Sequence, residues 1–387
     1  MTVDTAASPL FAPVQLGPFT LPNRVVLAPM TRVRADAEGR VRASTAEYYA
    51  QRASGGLLVT EATQVLPNGK GGPGTPGLHS PEQVAAWRPV TEAVHARGGR
   101  IFAQLWHTGR AAHPSFLAPG DEVVGASPVA IEGEVWTPEG RVPYATPRPL
   151  TVEEIARYVA AFADAARNAI AAGFDGVEVH GANGYLLDQF LRDGSNRRTD
   201  AYGGPVENRA RFLLEVVRAV ADAVGAERVG VRVSPSNPFQ SMNDSDPAAT
   251  FGYVAAALAP LGLAYLHVGE GSDEARALTP ALKRAFGGPV IVAGGYDRAA
   301  AEAVLAAGTA DLVAFGTPYL ANPDLPERLR ADLPLNRPDP TTFYGGGERG
   351  YTDYPTYDAH AHQRTPGGTP GGTPGGTPPG AALAGAA

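Results

Sequence analysis

The fold class that the sequence predicts is α/β, a closed (β/α)8 TIM barrel with an N-terminal hairpin and a long capping insertion after the third strand. Three observations predict it. Eight short runs rich in Val, Ile, Leu and Ala recur along the 387 residues. Between them lie stretches whose apolar residues repeat at three- and four-residue spacing. The repeats are regular, and no Gly-x-Gly-x-x-Gly follows the first strand, so closure is favoured over an open doubly wound sheet.

In chain order the strand runs are VVLAPM from Val25, GLLVTEAT from Gly56, IFAQLWH from Ile101, GVEVH from Gly176, VGVRVSP from Val229, AYLHVGEG from Ala264, VIVAGGY from Val290 and DLVAFG from Asp311. Helical runs such as SPEQVAAWRPVTEAVHA, TVEEIARYVAAFADAARNAIAAG and VENRARFLLEVVRAVADAV separate them. Thr151 followed by Glu154 forms a capping box. Ahead of the first strand, VQLGPFTLPN is expected to be a hairpin that plugs the barrel floor. Residues 1–360 are expected to be one barrel. Residues 108–150 are too long for an ordinary βα loop and form a candidate lid on the catalytic rim. Residues 361–387 repeat Thr, Pro and Gly and are expected to be disordered.

Composition narrows the function. Hydrophobic residues are 44 % of the chain and there is no cysteine, which excludes disulfides and thiolate metal sites. A net charge of −7 argues against nucleic acid as a partner. No basic-then-apolar leader opens the sequence and no long uncharged run could span a bilayer, so a soluble cytoplasmic globular protein, monomer or homodimer, is expected.

Strand parity locates the chemistry. In GVEVH, Val177 and Val179 suit the helix side, so Glu178 and His180 face the lumen. The same alternation turns Gln104 and Trp106 inward on the third strand and Arg232 on the fifth. Polar groups at this density need partners or a ligand. A bland explanation exists for each alone: Glu178 could pair with Arg232, and Asn183 could be a helix N-cap. A second signal lies in Gly294 and Gly295 after strand seven and Gly316 and Thr317 after strand eight. Loops at those positions commonly bind phosphate, although ordinary turns use the same glycines.

The segments NRVVLAPMTR, AQLWHTGR, GVEVHGANGYLLDQFLRDGSNRRTDAYGG, VRVSP, ANPDL and GYTDYP together resemble the Old Yellow Enzyme family, the FMN-dependent ene-reductases, from about Leu10 to Tyr357. The resemblance implies FMN as cofactor and NADPH or NADH as reductant. It implies that Pro29, Met30, Thr31, Ala62, Gln104, Arg232, Gly294, Gly295, Gly316 and Thr317 contact the flavin. It also implies that Trp106, Tyr351 and Phe239 wall the substrate pocket. His180 and Asn183 are then the pair that holds the oxygen of an enone or nitroalkene while hydride reaches the β-carbon. Tyr185 is the acid that protonates the α-carbon. No metal is implied.

At one position the chain departs from the family. Arg usually follows the glycine of strand eight and grips the FMN phosphate; here Thr317 stands there, and weaker FMN retention is expected. The segment from Gly269 to Leu278 is also short for a rim loop. Two further activities share parts of this pattern: reduction of nitrate esters, and a non-flavin barrel lyase acting on a phosphorylated substrate. A Schiff-base lyase needs a lysine at a strand end, and the only lysines are Lys70 and Lys283. A flavin carrier without turnover is the remaining alternative, and Tyr185 argues against it.

Overall fold

In the computed structural model, which describes residues 8–357, all eight runs are strands of one closed parallel barrel. They are β1 (Val25–Leu27), β2 (Leu57–Gln64), β3 (Ile101–Trp106), β4 (Gly176–Gly181), β5 (Val229–Val233), β6 (Tyr265–Gly269), β7 (Val290–Ala293) and β8 (Leu312–Phe315), and β8 pairs with β1. The open sheet is thereby excluded. Residues 361–387, the expected disordered tail, lie outside the described residues.

The principal helix after each strand is, in order, α1 (Ala43–Gln51), α2 (Pro81–His95), α3 (Val152–Ala171), α4 (Val206–Val224), α5 (Pro247–Leu258), α6 (Asp273–Phe286), α7 (Arg298–Ala306) and α8 (Leu325–Ala331); two shorter helices, Leu186–Leu191 and Thr317–Ala321, lie in the loops after β4 and β8. The Thr151 hydroxyl accepts the Glu154 N–H and the Glu154 carboxylate accepts the Thr151 N–H, so the expected capping box starts α3.

Alternation divides the strands as the sequence requires. Val177, Val179, Val229, Val231, Leu266 and Val268 face outward into the layer shared with the helices. Val26, Leu57, Val59, Phe102, Tyr265 and Ile291 fill the lumen. The hairpin Val14–Leu16 with Phe19–Leu21 closes the floor, adding Leu16 and Leu21 to the same lumen cluster. The lower barrel is thus a packed apolar core, and inward polar residues are confined to its mouth.

Two segments cover that mouth. Residues 108–150 contain a hairpin, Glu134–Thr137 with Gly140–Pro143, and a short parallel pair, Val124–Gly125 with Arg148–Pro149. Buried Arg110 ties this segment to the loop after β5, donating to the carbonyls of Val129 and Gln240 at 3.0 Å each. The C-terminal strap is tied to the loop after β1. There Arg32 donates to the carbonyls of Phe343 and Gly350, and Arg34 to those of Thr342, Gly347 and Arg349.

Close packing at the base of β4 gives a test. A Cβ on Gly176 would lie 2.4 Å from the Arg228 carbonyl oxygen and 2.5 Å from the Phe102 ring. Gly176→Ala is expected to lower unfolding free energy by about 3 kcal/mol in denaturant titration. Gly252→Ala, in α5 with open space around it, is expected to leave stability unchanged or raise it by up to about 1 kcal/mol.

Candidate active site

The mouth is organised by a buried carboxylate. Register sets Glu178 beside Gln104 on β3, and His180 beside Arg232 on β5. Glu178 is wholly buried. One of its oxygens accepts from Gln104 Nε2 at 2.7 Å, and the other lies 2.9 Å from His267 Nδ1 on β6. Burial pushes the Glu178 carboxyl up, but His267, Arg232 and Gln104 together outweigh it and hold the group below its usual range. Burial lowers His267, so the imidazole is neutral and its Nδ1–H donates to the carboxylate. Among the described residues Glu178 makes no direct ion pair with Arg232, which acts on it by charge alone. Inward side chains from alternate barrel strands share a layer, which brings β6 rather than β5 to Glu178. Parity could have found His267, which alternates with Leu266 and Val268.

Among the described residues, several donors at this level have no protein partner. Arg232 is fully buried, yet its Nε and one Nη are unpaired. His180 Nδ1, Asn183 Nδ2 and Trp106 Nε1 are also buried and unpaired. Orphaned buried donors are costly, so a cluster of them at a barrel mouth marks a place made for a polar ligand. Gln104 commits its amide nitrogen to Glu178, which leaves its carbonyl oxygen as the group it can present.

Local structure aims each donor. Burial, with help from Arg232, depresses His180 to about 3, so the ring is a neutral imidazole. Asn183 sits in the left-handed region, φ 56°. Its N–H donates to Ser234 Oγ at 2.7 Å, and its Oδ1 accepts from Asn237 Nδ2 at 2.9 Å, which fixes the amide with Nδ2 free. Asn183 is therefore not an N-cap. The turn is held by Asp188, which accepts the Gly184 N–H at 2.8 Å and pairs with Arg192 at 2.9 Å, both side chains buried. Arg192 in turn donates to the carbonyls of Ser234 and Asn237, locking the β4 and β5 loops together.

Tyr185 lies edge-on to Trp106 at 5.0 Å and to His180 at 5.2 Å. Burial raises its phenol above the ordinary value, with the neighbouring Tyr144 and Tyr344 adding to the rise. The wall of the site is Ala62, Trp106, Ala111, Ile131 and Tyr185, with Tyr144 packed against them. Ala62 reaches it because a bulge between Val59 and Ala62 shifts the register of β2. That shift also turns Glu61 to accept the Arg32 N–H at 3.0 Å, next to buried Thr31.

The other two expected wall residues, Tyr351 and Phe239, are not members of that apolar cluster. Tyr351 is stacked on Tyr48 at 4.2 Å, under the Arg34 guanidinium. Tyr344, in the same segment, lies within electrostatic reach of Tyr185. Half-buried Phe239 is outside the wall cluster; its neighbour Gln240, at φ 61°, is the residue that interacts with Tyr185.

On the opposite side, Gly294, Gly295, Gly316 and Thr317 do converge. They line one cleft of about 120 Å³ with Ala28, Tyr296 and Pro318. Met30 and Pro29 are buried in the β1 loop beside it. Lys283 is held by Asp311, before β8, and Lys70 donates to the Ala37 carbonyl, so neither serves a Schiff base inside the barrel. Among the described residues no cluster of His, Asp and Glu could hold a metal ion.

Residues 9–336 match the model of the NADH:flavin oxidoreductase / NADH oxidase family. The chain is 46 % identical to 12-oxophytodienoate reductase 1 of Oryza sativa subsp. japonica, covering 90 % of this chain and 93 % of that one. It is 45 % identical to a flavin oxidoreductase of Emericella nidulans, over 90 % of this chain and 97 % of the relative. Among solved structures it is similar to morphinone reductase, with a TM-score of 0.88, 46 % identity and coverage of 92 % and 99 %.

His107 gives a pH test of this region. Its Nδ1 accepts the Gly109 N–H at 3.0 Å, its Nε2 faces Asn68 Oδ1, and burial depresses it to about 3. The unfolded chain takes up this proton near pH 6.5 and the folded chain does not, so stability is lost as pH falls below 6.5. Glu61, raised by burial to about 7, acts in the opposite sense, so a comparison of variants is needed. Between pH 7 and pH 5 the wild type is expected to lose about 2 kcal/mol more unfolding free energy than His107→Asn, as measured by denaturant titration.

Proposed function

The chain belongs to the Old Yellow Enzyme family, and from that premise we propose which of its residues carry the ene-reductase reaction and how. The enzyme is an FMN-dependent oxidoreductase that reduces activated alkenes with NAD(P)H. When bound, FMN supplies the redox chemistry, taking hydride from the nicotinamide and passing it to the β-carbon of the substrate.

The single observation that supports the residue assignment is the pair of buried, unpartnered nitrogens, His180 Nδ1 and Asn183 Nδ2, next to Tyr185. An enone carbonyl or nitro oxygen placed between them receives two hydrogen bonds. These strengthen as negative charge develops on that oxygen. Neither donor reorganises in the event: the amide is held by Asn237, and the imidazole carries no charge to be neutralised. Tyr185 keeps its proton at every physiological pH and delivers it to the α-carbon.

The unpartnered Nε and Nη of Arg232 would hold the flavin ring where reduction concentrates negative charge, and Arg suits this because it stays protonated. Gln104, Thr31, Ala62 and the backbone near Pro29 and Met30 would position the ring. Gly294, Gly295, Gly316 and Thr317 would take the phosphate. Trp106, Ile131 and Tyr144 exclude water from the substrate.

Two measurements test these roles. His180→Ala combined with Asn183→Ala is expected to retain bound flavin but to slow its reoxidation by cyclohexenone by roughly 10²-fold or more, from the loss of two oxyanion donors; unchanged enone turnover would refute the donor pair. Tyr185→Phe is expected to impair cyclohexenone far more than a nitroalkene, whose nitronate product can leave before carbon is protonated. Equal losses on both substrates contradict the proton-donor role.

A further inference from the structure

We infer that Arg276, on α6, supplies the positive charge for the FMN phosphate that the residue at position 317 does not. The inference rests on the FMN reading above and goes beyond it, because it concerns a residue outside the motifs that identify the family.

The cleft shared by the β7 and β8 loops is built for an anion except in one respect. Among the described residues, the backbone N–H groups of Gly294, Gly295, Gly316 and Thr317 donate to no other group. Gly294 is required by crowding, since a Cβ there would lie 2.4 Å from the Glu270 carbonyl oxygen. Yet no cationic side chain lines this cleft. Thr317 contributes a hydroxyl and no charge.

A cation stands immediately next door. Gly294 and Gly295 also wall a second cleft, of about 310 Å³, formed with Ser272, Asp273 and Arg276 from the start of α6. The Arg276 guanidinium donates to the Gly294 carbonyl and lies over the Tyr296 ring, 5.2 Å from its centroid. Tyr296 is itself anchored, its hydroxyl bonded to the Glu270 carboxylate, which also takes the Thr279 hydroxyl. Arg276 is therefore stacked on a fixed ring and hooked to the backbone of the glycine pair. Among the described residues it has no carboxylate partner, whereas the other cations nearby are committed, Arg298 to Glu302 and Lys283 to Asp311. One guanidinium donor is spent on Gly294, and the remaining N–H groups are available to a phosphate on those glycines. The short segment between Gly269 and Leu278 explains the approach: little chain separates the end of β6 from the first turn of α6, which draws Arg276 to the rim.

The test is a titration of deflavinated protein with FMN and with riboflavin, which carries the same ring and no phosphate, at low and high salt. Arg276→Ala is expected to weaken FMN binding about tenfold to a hundredfold while riboflavin binding is unchanged. The salt dependence of FMN affinity should fall with it. Adding Thr317→Arg to Arg276→Ala is expected to restore FMN affinity. Undiminished FMN affinity in Arg276→Ala overturns the inference. Equal losses for FMN and riboflavin overturn it too, because they would mean that Arg276 only braces the loop. If the wild-type protein binds neither flavin, the cofactor reading fails, and this assignment with it.

Discussion

One buried negative charge organises the catalytic end of this barrel. Glu178 is enclosed on every side, and a carboxylate in that position persists only with partners that compensate its lost hydration. Its partners come from three other strands: Gln104 and His267 by hydrogen bond, Arg232 by charge. Each partner is thereby oriented. The Gln104 amide cannot flip, the His267 tautomer is set, and Arg232 keeps a counter-charge that leaves its own donors free. The contrast with the lumen below is physical as well as compositional. There Leu, Val, Phe and Ile need only fill space, whereas here every polar atom must be answered, by protein or by what the protein holds.

A second charged pair does for the rim what Glu178 does for the interior. Asp188 and Arg192 lie one helical turn apart, both buried, in the six-residue helix Leu186–Leu191 and at its end. Through Gly184, Ser234 and Asn237 they join two adjacent βα loops into one rigid body. The left-handed backbone at Asn183 is a strained choice for a residue other than glycine, and it is tolerated because both its N–H and its Oδ1 are bonded.

The barrel and most of its inward polar residues could be read from the chain because strand periodicity is local. Val177 and Val179 declare the outer face, and Glu178 and His180 the inner one, with no knowledge of any other strand. What could not be read depends on contacts distant in sequence. Which strand answers Glu178 is decided by barrel stagger: a pair with Arg232 on the next strand is one reading of the sequence, and His267, which the pattern does not single out, makes the contact. How the segment that carries Tyr344 and Tyr351 lies against the β1 loop is decided by two arginines some three hundred residues earlier. Position 240, whose backbone turns left-handed in a Pro-Phe-Gln-Ser run, carries no glycine to announce it. Ile131 and Tyr144 sit in a stretch with no regular periodicity, where patterning offers no purchase.

The strap held by Arg32 and Arg34 has a consequence for folding. The arginines and the carbonyls they bind, between Thr342 and Gly350, lie some three hundred positions apart in the chain. A folding chain that has closed all eight strands but has not yet docked this segment would still lack a finished entrance beside Thr31.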